Sequence, residues 1–264
     1  MATRYTPYVT RRQRLAYREK KKRIVLCAII VCLAILVLVK ICGFLYKNLA
    51  RKSLIYDSQG SVSIVDRDPD DIPLYDGADY SVLNDGKPSF NSWDIDNISG
   101  EHYSELDGWG RCGVAYAMLD RTMMPTEARE GIGQIKPSGW QQAKYEGVVD
   151  SDPPYLYNRC HLIAYALTGQ NANEKNLITG TRYMNVKAML PWEEKVMHYL
   201  DNSENHVLYR VTPYFKLNEL VARGVEIEAY SVEDKGEGVN FHVFVYNVQP
   251  GVVIDYSSGK SRLE

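Results

Sequence analysis

From Ile24 to Val39 every residue is apolar, and after Lys40 the apolar run resumes from Ile41 to Tyr46. About 23 such residues cover the roughly 30 Å of a bilayer's hydrocarbon core. Lys40 lies near one end, where a long side chain can snorkel to the headgroups. A helix buried in a soluble core is the alternative, but no polar face interrupts the run. The segment therefore predicts a transmembrane helix and divides the chain into a basic tail (1–23), an anchor (24–46), a stalk or linker (47–80) and a folded domain (81–264).

Arg11, Arg12, Arg14, Arg18, Lys20, Lys21, Lys22 and Arg23 precede the run, whereas Lys47, Arg51 and Lys52 follow it closely. The positive-inside bias places the N-terminus in the cytoplasm and the folded domain outside the cell. No small-x-small site follows the run, so an uncleaved signal-anchor is expected rather than a signal peptide. Lys40 before Cys42 is a poor match to the small-residue pattern that precedes a lipidated cysteine.

Charge is divided along the same line. Residues 1–52 hold 13 of the 31 Lys and Arg but one of the 33 acidic residues, leaving 18 basic against 32 acidic in 53–264, a balance of -14. A nucleic-acid site in the outer domain must therefore be a local basic patch, and tight non-specific binding is disfavoured because phosphate neutralisation supplies most of that affinity. Cys27, Cys32 and Cys42 lie in or beside the apolar segment. Cys112 and Cys160 remain, an even pair in a disulfide-permissive compartment, either bridged or two free thiols.

The stalk carries an acidic cluster at Asp66, Asp68, Asp70 and Asp71 and one alternating piece, Ser61 to Val65. Gly110 to Met118 is β-prone, and the Pro- and Gly-rich loop from Pro125 to Gly139 is long enough to suspect function. Thr181 to Tyr199 has helical spacing, with Pro191 expected to kink that helix or open a second one. Val207, Tyr209 and Val211 alternate with Leu208, Arg210 and Thr212, and similar runs occur at Val225 to Val232 and Phe241 to Val248. These predict three antiparallel strands and an α+β fold, a mostly antiparallel sheet carrying a helix.

No P-loop, paired CxxC, HExxH or GxSxG pattern is present. Between Tyr157 and Asn185 the chain gathers His161, Arg159, Arg182 and the amides of Asn158, Asn171, Asn173, Asn176 and Asn185. That mixture suits a phosphate ester, whose cleavage needs a base, a hard cation and a positive charge near the phosphate. Histidine is basic near neutral pH. Magnesium, which dehydrates reluctantly, needs only one or two protein oxygens, and an Asn carbonyl is one such ligand. Taken alone, a histidine such as His161 is more often a packed or surface residue. His102, His198, His206 and His242 are read as structural or solvated, with His198 alone a possible phosphate contact.

Asn158-Arg159-Cys160-His161 resembles the Asp-Arg-Gly-His signature of the DNA/RNA non-specific endonucleases of the ββα-metal type, and Gly108 to Leu119 is similar to the streptococcal-type secreted and surface DNases. The likeness runs roughly from Leu106 to Tyr256. It implies a ββα-metal fold and hydrolysis of DNA, with RNA a further candidate, to 5'-phosphate products, using Mg2+ or Mn2+. His161 would be the general base and Asn185, after the stretch from Lys175, the metal ligand. Glu193 would hold metal-bound water, with Glu194 the fallback. Arg159 or Arg182 would hold the phosphate, Asn176 would order the loop around the metal and contact substrate, with a turn residue the equal alternative there, and Arg111 would match the family's upstream substrate arginine. A Cys112–Cys160 bridge would fasten Arg111 near His161. Asn158 in place of an acid and Cys160 in place of glycine depart from the signature, and the second needs a backbone that tolerates a Cβ. A non-catalytic membrane-anchored module that binds nucleic acid or protein on the same fold is the competing reading.

Overall fold

A computed structural model describes residues 73–264 together with Lys20, Lys22, Val25 and Lys40, each of these four in a helix. The chain divides into two units, residues 1–52 and 53–264. The expected anchor and most of the tail and stalk, with its alternating piece, lie outside the described residues. Among the described residues no helix is long and apolar enough to cross a membrane.

The second unit is built on a six-stranded antiparallel sheet in the order β1 (Tyr80–Val82), β8 (Asn240–Tyr246), β7 (Gly224–Ser231), β6 (Val207–Tyr214), β3 (Ala115–Leu119) and β2 (Gly100–Tyr103). The three strands expected from alternation are β6, β7 and β8. Their alternate residues Val207, Tyr209 and Val211, Val225, Ile227 and Ala229, and Phe241, Val243 and Val245 all enter one core. Both faces of these strands are largely buried, but their chemistry alternates: one face meets the main core while the other carries polar groups and a small aromatic cluster of Tyr214, Phe244 and Tyr246. The β-prone stretch from Gly110 becomes strand only at Ala115, because Asp107 Oδ1 accepts the N–H groups of Trp109 and Arg111 at 2.9 Å each and holds a turn there. Leu74 to Tyr80, on the stalk side of the expected boundary, already contact the domain: Tyr75 stacks edge-on with Tyr246, and Tyr183 donates to Asp79 at 2.5 Å.

Over the core face lie a second antiparallel pair, β4 (Tyr157–His161) with β5 (Leu177–Thr181), and the helix that follows β5. Residues between β4 and β5 include the short helix α2 (Tyr165–Thr168), which ends at Gly169 in the left-handed conformation, φ +68°; α1 (Ser92–Asn97) lies upstream of β2. A π-helical stretch, Met184–Met189, leads into α3 (Leu190–Asp201), with Pro191 in its first turn. Pro191 opens the α-helix as one of the two expected outcomes had it, because its missing N–H is not needed there.

The β4–β5 pair shares no strand with the main sheet; besides a common core, buried side chains bridge the two. Asn247, fully buried just past β8, accepts from Thr181 N at 2.8 Å and donates to the carbonyls of Thr179 at 3.0 Å and Ala222 at 2.9 Å. Thr181 Oγ1 extends this joint, donating to Val248 O at 2.6 Å and accepting from Met184 N at 2.9 Å, so the same residue starts the π-helical turn. Leaving three buried backbone groups unsatisfied costs about 1–3 kcal/mol each. Asn247→Ala is therefore expected to destabilise the domain by roughly 3 kcal/mol or more, read as a lowered denaturant midpoint. An unchanged midpoint would show that the joint is held elsewhere.

Candidate active site

The strand pair, the loop before it and the helix after it enclose a cavity of about 930 Å³ whose lining includes Arg129, Asn158, Arg159, His161, Arg182, Asn185 and Glu193. His161 ends β4 and is nearly buried, at 6 % exposure. Its Nε2 lies 2.9 Å from the main-chain carbonyl of Asn171. A carbonyl oxygen only accepts, so Nε2 carries the proton and Nδ1 has the lone pair. Burial, with some help from the Arg129 charge and against the Asn171 hydrogen bond, pushes the imidazole pKa down to about 4. At neutral pH the ring is uncharged, as a base must be.

Glu193 and Asn185 come from the helical segment. In a continuous α-helix residues eight apart are roughly 80° out of line, and the wider turn of Met184–Met189 reduces that offset so that both line the cavity. Single π turns inside helices recur at functional sites for this kind of reason. The Asn185 side chain makes no hydrogen bond among the described residues. Glu193 is 8 % exposed, and burial, with the neighbouring Glu194 charge, raises its carboxyl to about 8. Glu194 itself is exposed and absent from the lining. The Asn185 carbonyl and the buried Glu193 carboxyl, which the Arg129 charge reaches without forming an ion pair, are oxygen donors of the kind a divalent ion takes.

Three arginines form a local basic patch within the otherwise acidic residues 53–264. Arg182 Nε is buried with no hydrogen-bond partner, an arrangement that an anion would satisfy. Arg159 stacks on Trp140 at 4.3 Å and donates from Nη2 to Gly133 O at 2.6 Å and from Nε to Ile135 O, so it fastens the loop before β4 while lining the cavity. Arg129 donates from Nη2 to His161 Nδ1 at 3.2 Å. No motif marks Arg129, although it is the one arginine in the loop from Pro125 to Gly139 that length singles out.

The remaining expected residues lie outside the cavity lining, and of the open alternatives the structure has Asn176 as a turn residue and the two cysteines as free thiols. Arg111 is not in the cavity lining: its guanidinium binds Asp107 at 2.7 Å and the carbonyls of Leu217 and Glu219 at 2.8 and 3.1 Å, tying two loops together. Asn176 is fully buried, accepting from Ile163 N and donating to Ile163 O at 2.9 Å each. It fixes the turn after His161 and, fully buried outside the cavity lining, does not face substrate. Cys112 and Cys160 are free buried thiols: Cys112 Sγ points to the carbonyls of Glu174 and Leu177, and Cys160 Sγ to Met189 Sδ at 3.4 Å. Burial raises both thiols, Cys112 to about 12. Cys160 is accommodated because Gly180 lies beside it on β5; a Cβ there would come within 2.6 Å of the Cys160 Cβ.

Glu226, Glu228 and His242 are a second group of potential ligands, their donor atoms within 4.8 Å of one another. They sit on the sheet face away from the core, outside the cavity lining. Their charges are balanced internally: Arg210 pairs with Glu228 at 2.5 Å, and His242 Nε2 meets Glu226 at 2.6 Å. Burial alone would lower the His242 pKa, but these carboxylates outweigh it and raise it. The cluster fastens residues 87–89 over that face through Lys87 O and Ser89. His198 is exposed and absent from the cavity lining.

The fold is a mixed α/β domain with a mostly antiparallel sheet, and one cavity brings His161, Asn185, Glu193 and three arginines together. The profile of the DNA/RNA non-specific endonucleases matches residues 92–233, and the chain belongs to that family. A deoxyribonuclease of Streptococcus dysgalactiae subsp. equisimilis is 27% identical, and the match covers 61% of this chain and 60% of that protein. NucA from Streptococcus agalactiae with magnesium bound superposes with a TM-score of 0.61 at 27% identity, over 70% of this chain and 87% of NucA. The Sda1 nuclease with bound zinc gives 0.58 at 28% identity, over 70% and 97%.

The raised Glu193 carboxyl has a stability consequence in the metal-free protein. Unfolded, the group ionises near 4.5; folded, near 8. Between those values the fold retains a proton that the unfolded chain has lost, so stability falls as pH rises through this window and the full penalty holds above it. Glu193→Gln should match wild type near pH 4.5 and gain on it up to pH 8 and above, by on the order of a few kcal/mol. Metal-free thermal melts at pH 5 and pH 8.5 check this. A gap that does not widen with pH would contradict it.

Proposed function

We propose that this protein is a divalent-metal-dependent endonuclease that hydrolyses DNA, with RNA as a second substrate, and leaves 5'-phosphate ends. The observation that carries the reading is the neutral, nearly buried His161 with its lone pair on Nδ1, in one cavity with Asn185, Glu193 and three arginines. Bound Mg2+ or Mn2+ would neutralise charge developing on the scissile phosphate. Asn185 would hold the cation through its side-chain carbonyl, and the buried Glu193 carboxylate would balance its charge. His161 Nδ1 takes the proton of the attacking water, while Nε2 keeps its own proton, donated to the Asn171 carbonyl, which fixes the ring's tautomer. Arg182 and Arg129 orient the phosphate for in-line attack with the 3' oxygen leaving. Arg159 acts mainly by holding the loop that carries Gly133 and Ile135. The magnesium-bound NucA and zinc-bound Sda1 structures support a metal site in this fold.

We further propose that residues 24–46 anchor the enzyme in the cell membrane with the nuclease domain outside, where extracellular nucleic acid is the substrate. The apolar run and the asymmetry of flanking charge support this orientation.

Digestion of plasmid DNA and of RNA by the purified protein with Mg2+ tests the reading. His161→Ala and Asn185→Ala are expected to lower the rate by roughly 100-fold or more each, the range of a lost base or electrostatic catalyst. Intact substrate across several divalent metals would leave the non-catalytic module as the better account. Undiminished cleavage by His161→Ala would remove this histidine as the base.

A further inference from the structure

The lone pair that would activate water is already occupied. Arg129 Nη2 donates to His161 Nδ1 at 3.2 Å. We propose that Arg129 is a latch on the base: in the unliganded protein its guanidinium caps Nδ1, and a phosphodiester entering the cavity draws it away and uncovers the lone pair. This rests on the nuclease reading of the cavity.

The latch has an identifiable hinge partner. Asn171 binds the base and the latch at once, its main-chain carbonyl holding His161 Nε2 while its side chain accepts from Arg129 Nε at 3.3 Å and donates to Glu130 O at 3.0 Å. Tyr165 adds a bond from its hydroxyl to Glu127 O at 2.9 Å, with the Arg129 guanidinium 6.0 Å from its ring centre. Residues 126–130 are exposed and have no helix or strand to hold them. They are kept over His161 by a few single bonds, which a stronger partner can outcompete.

A phosphate is such a partner. Arg129 forms no ion pair with a carboxylate among the described residues: its bonds go to a neutral nitrogen and an amide oxygen, its guanidinium lies by a ring, and its charge reaches the Glu193 carboxyl only from beyond ion-pair distance. Guanidinium bonds to phosphate are charge-assisted and often bidentate, roughly twice as strong as bonds between neutral groups. The exchange is therefore favourable, and it couples two needs. The cation reaches the phosphate, and the base is freed only when a phosphate is present.

Accessibility of the lone pair can be read without catalysis. Diethyl pyrocarbonate carbethoxylates imidazole through an unprotonated nitrogen, and in His161 that nitrogen is Nδ1. The metal-free full chain in detergent is treated with the reagent, and modification of each of the five histidines is followed by peptide-resolved mass spectrometry. In wild type His161 is expected to react slowly, and in Arg129→Ala at least about tenfold faster, as loss of a charge-assisted bond implies. Inorganic phosphate is expected to speed the wild-type reaction in a dose-dependent way and to leave Arg129→Ala unaffected. Asn171→Ala keeps Arg129 and the carbonyl on Nε2 but removes the side-chain tether, and should react at an intermediate rate; it serves if Arg129→Ala folds poorly. Equal rates in wild type and both variants overturn the latch. A faster Arg129→Ala with no phosphate response in wild type also overturns it, leaving Arg129 a static cap. Metal-dependent plasmid cleavage by the same wild-type preparation separates the two failures: cleavage without a latch leaves the nuclease reading standing, and absent cleavage removes that reading.

Discussion

The carboxamide of Asn247 is the joint on which the site depends. The six-stranded sheet supplies a core, but none of its strands carries the proposed base or the proposed metal ligand. Both belong to the β4–β5 pair and the helix it feeds, which pair with the sheet through no strand hydrogen bonds. Asn247 holds Thr179 and Thr181 of β5 and Ala222 beside β7 in one buried network, and Thr181 carries that fixed position into the π-helical turn. Asn185 thus inherits its position from the sheet through β5, and His161 from β5 through the ladder that pairs it with Leu177.

Burial then sets the electrostatics of what this scaffold presents, and it acts in opposite directions on the two titrating groups. It keeps His161 neutral, with its pKa near 4, and it keeps Glu193 protonated to about 8 while no cation is bound. The same desolvation that prepares the base makes the carboxylate costly, and a cation relieves that cost. In the proposed enzyme, stability and readiness for metal are therefore opposed at Glu193. Such conflicts between local stability and use are expected at functional sites.

The sheet was legible because its alternation has a simple cause, one apolar face against one core, and β6 to β8 follow it residue by residue. The site was legible in part, where its chemistry lies close in sequence. His161, Asn185, Glu193, Arg159 and Arg182 all line one cavity. The misplacements share a reason: polar side chains look alike in a sequence whether they face substrate or backbone. Asn176 and Arg111 are saturated by main-chain carbonyls or a neighbouring carboxylate, which no spacing reveals. The two cysteines are even in number but face different carbonyl and thioether partners. Arg129 and Asn247 were missed because each acts across a long separation in the chain, on His161 and on β5. The structure, not the spacing of the sequence, explains why Cys160 fits where the family signature has glycine. Gly180, on the neighbouring strand, leaves the space that Cys160 fills.

Everything proposed for catalysis converges on one nitrogen, Nδ1 of His161. The most direct measurement is chemical rescue: cleavage of plasmid DNA by His161→Gly with Mg2+, followed as imidazole is added. If His161 is the general base, the variant is nearly inactive alone and regains activity in proportion to the concentration of neutral imidazole. Wild-type activity in His161→Gly without imidazole, or no recovery while the metal still binds, would contradict the account.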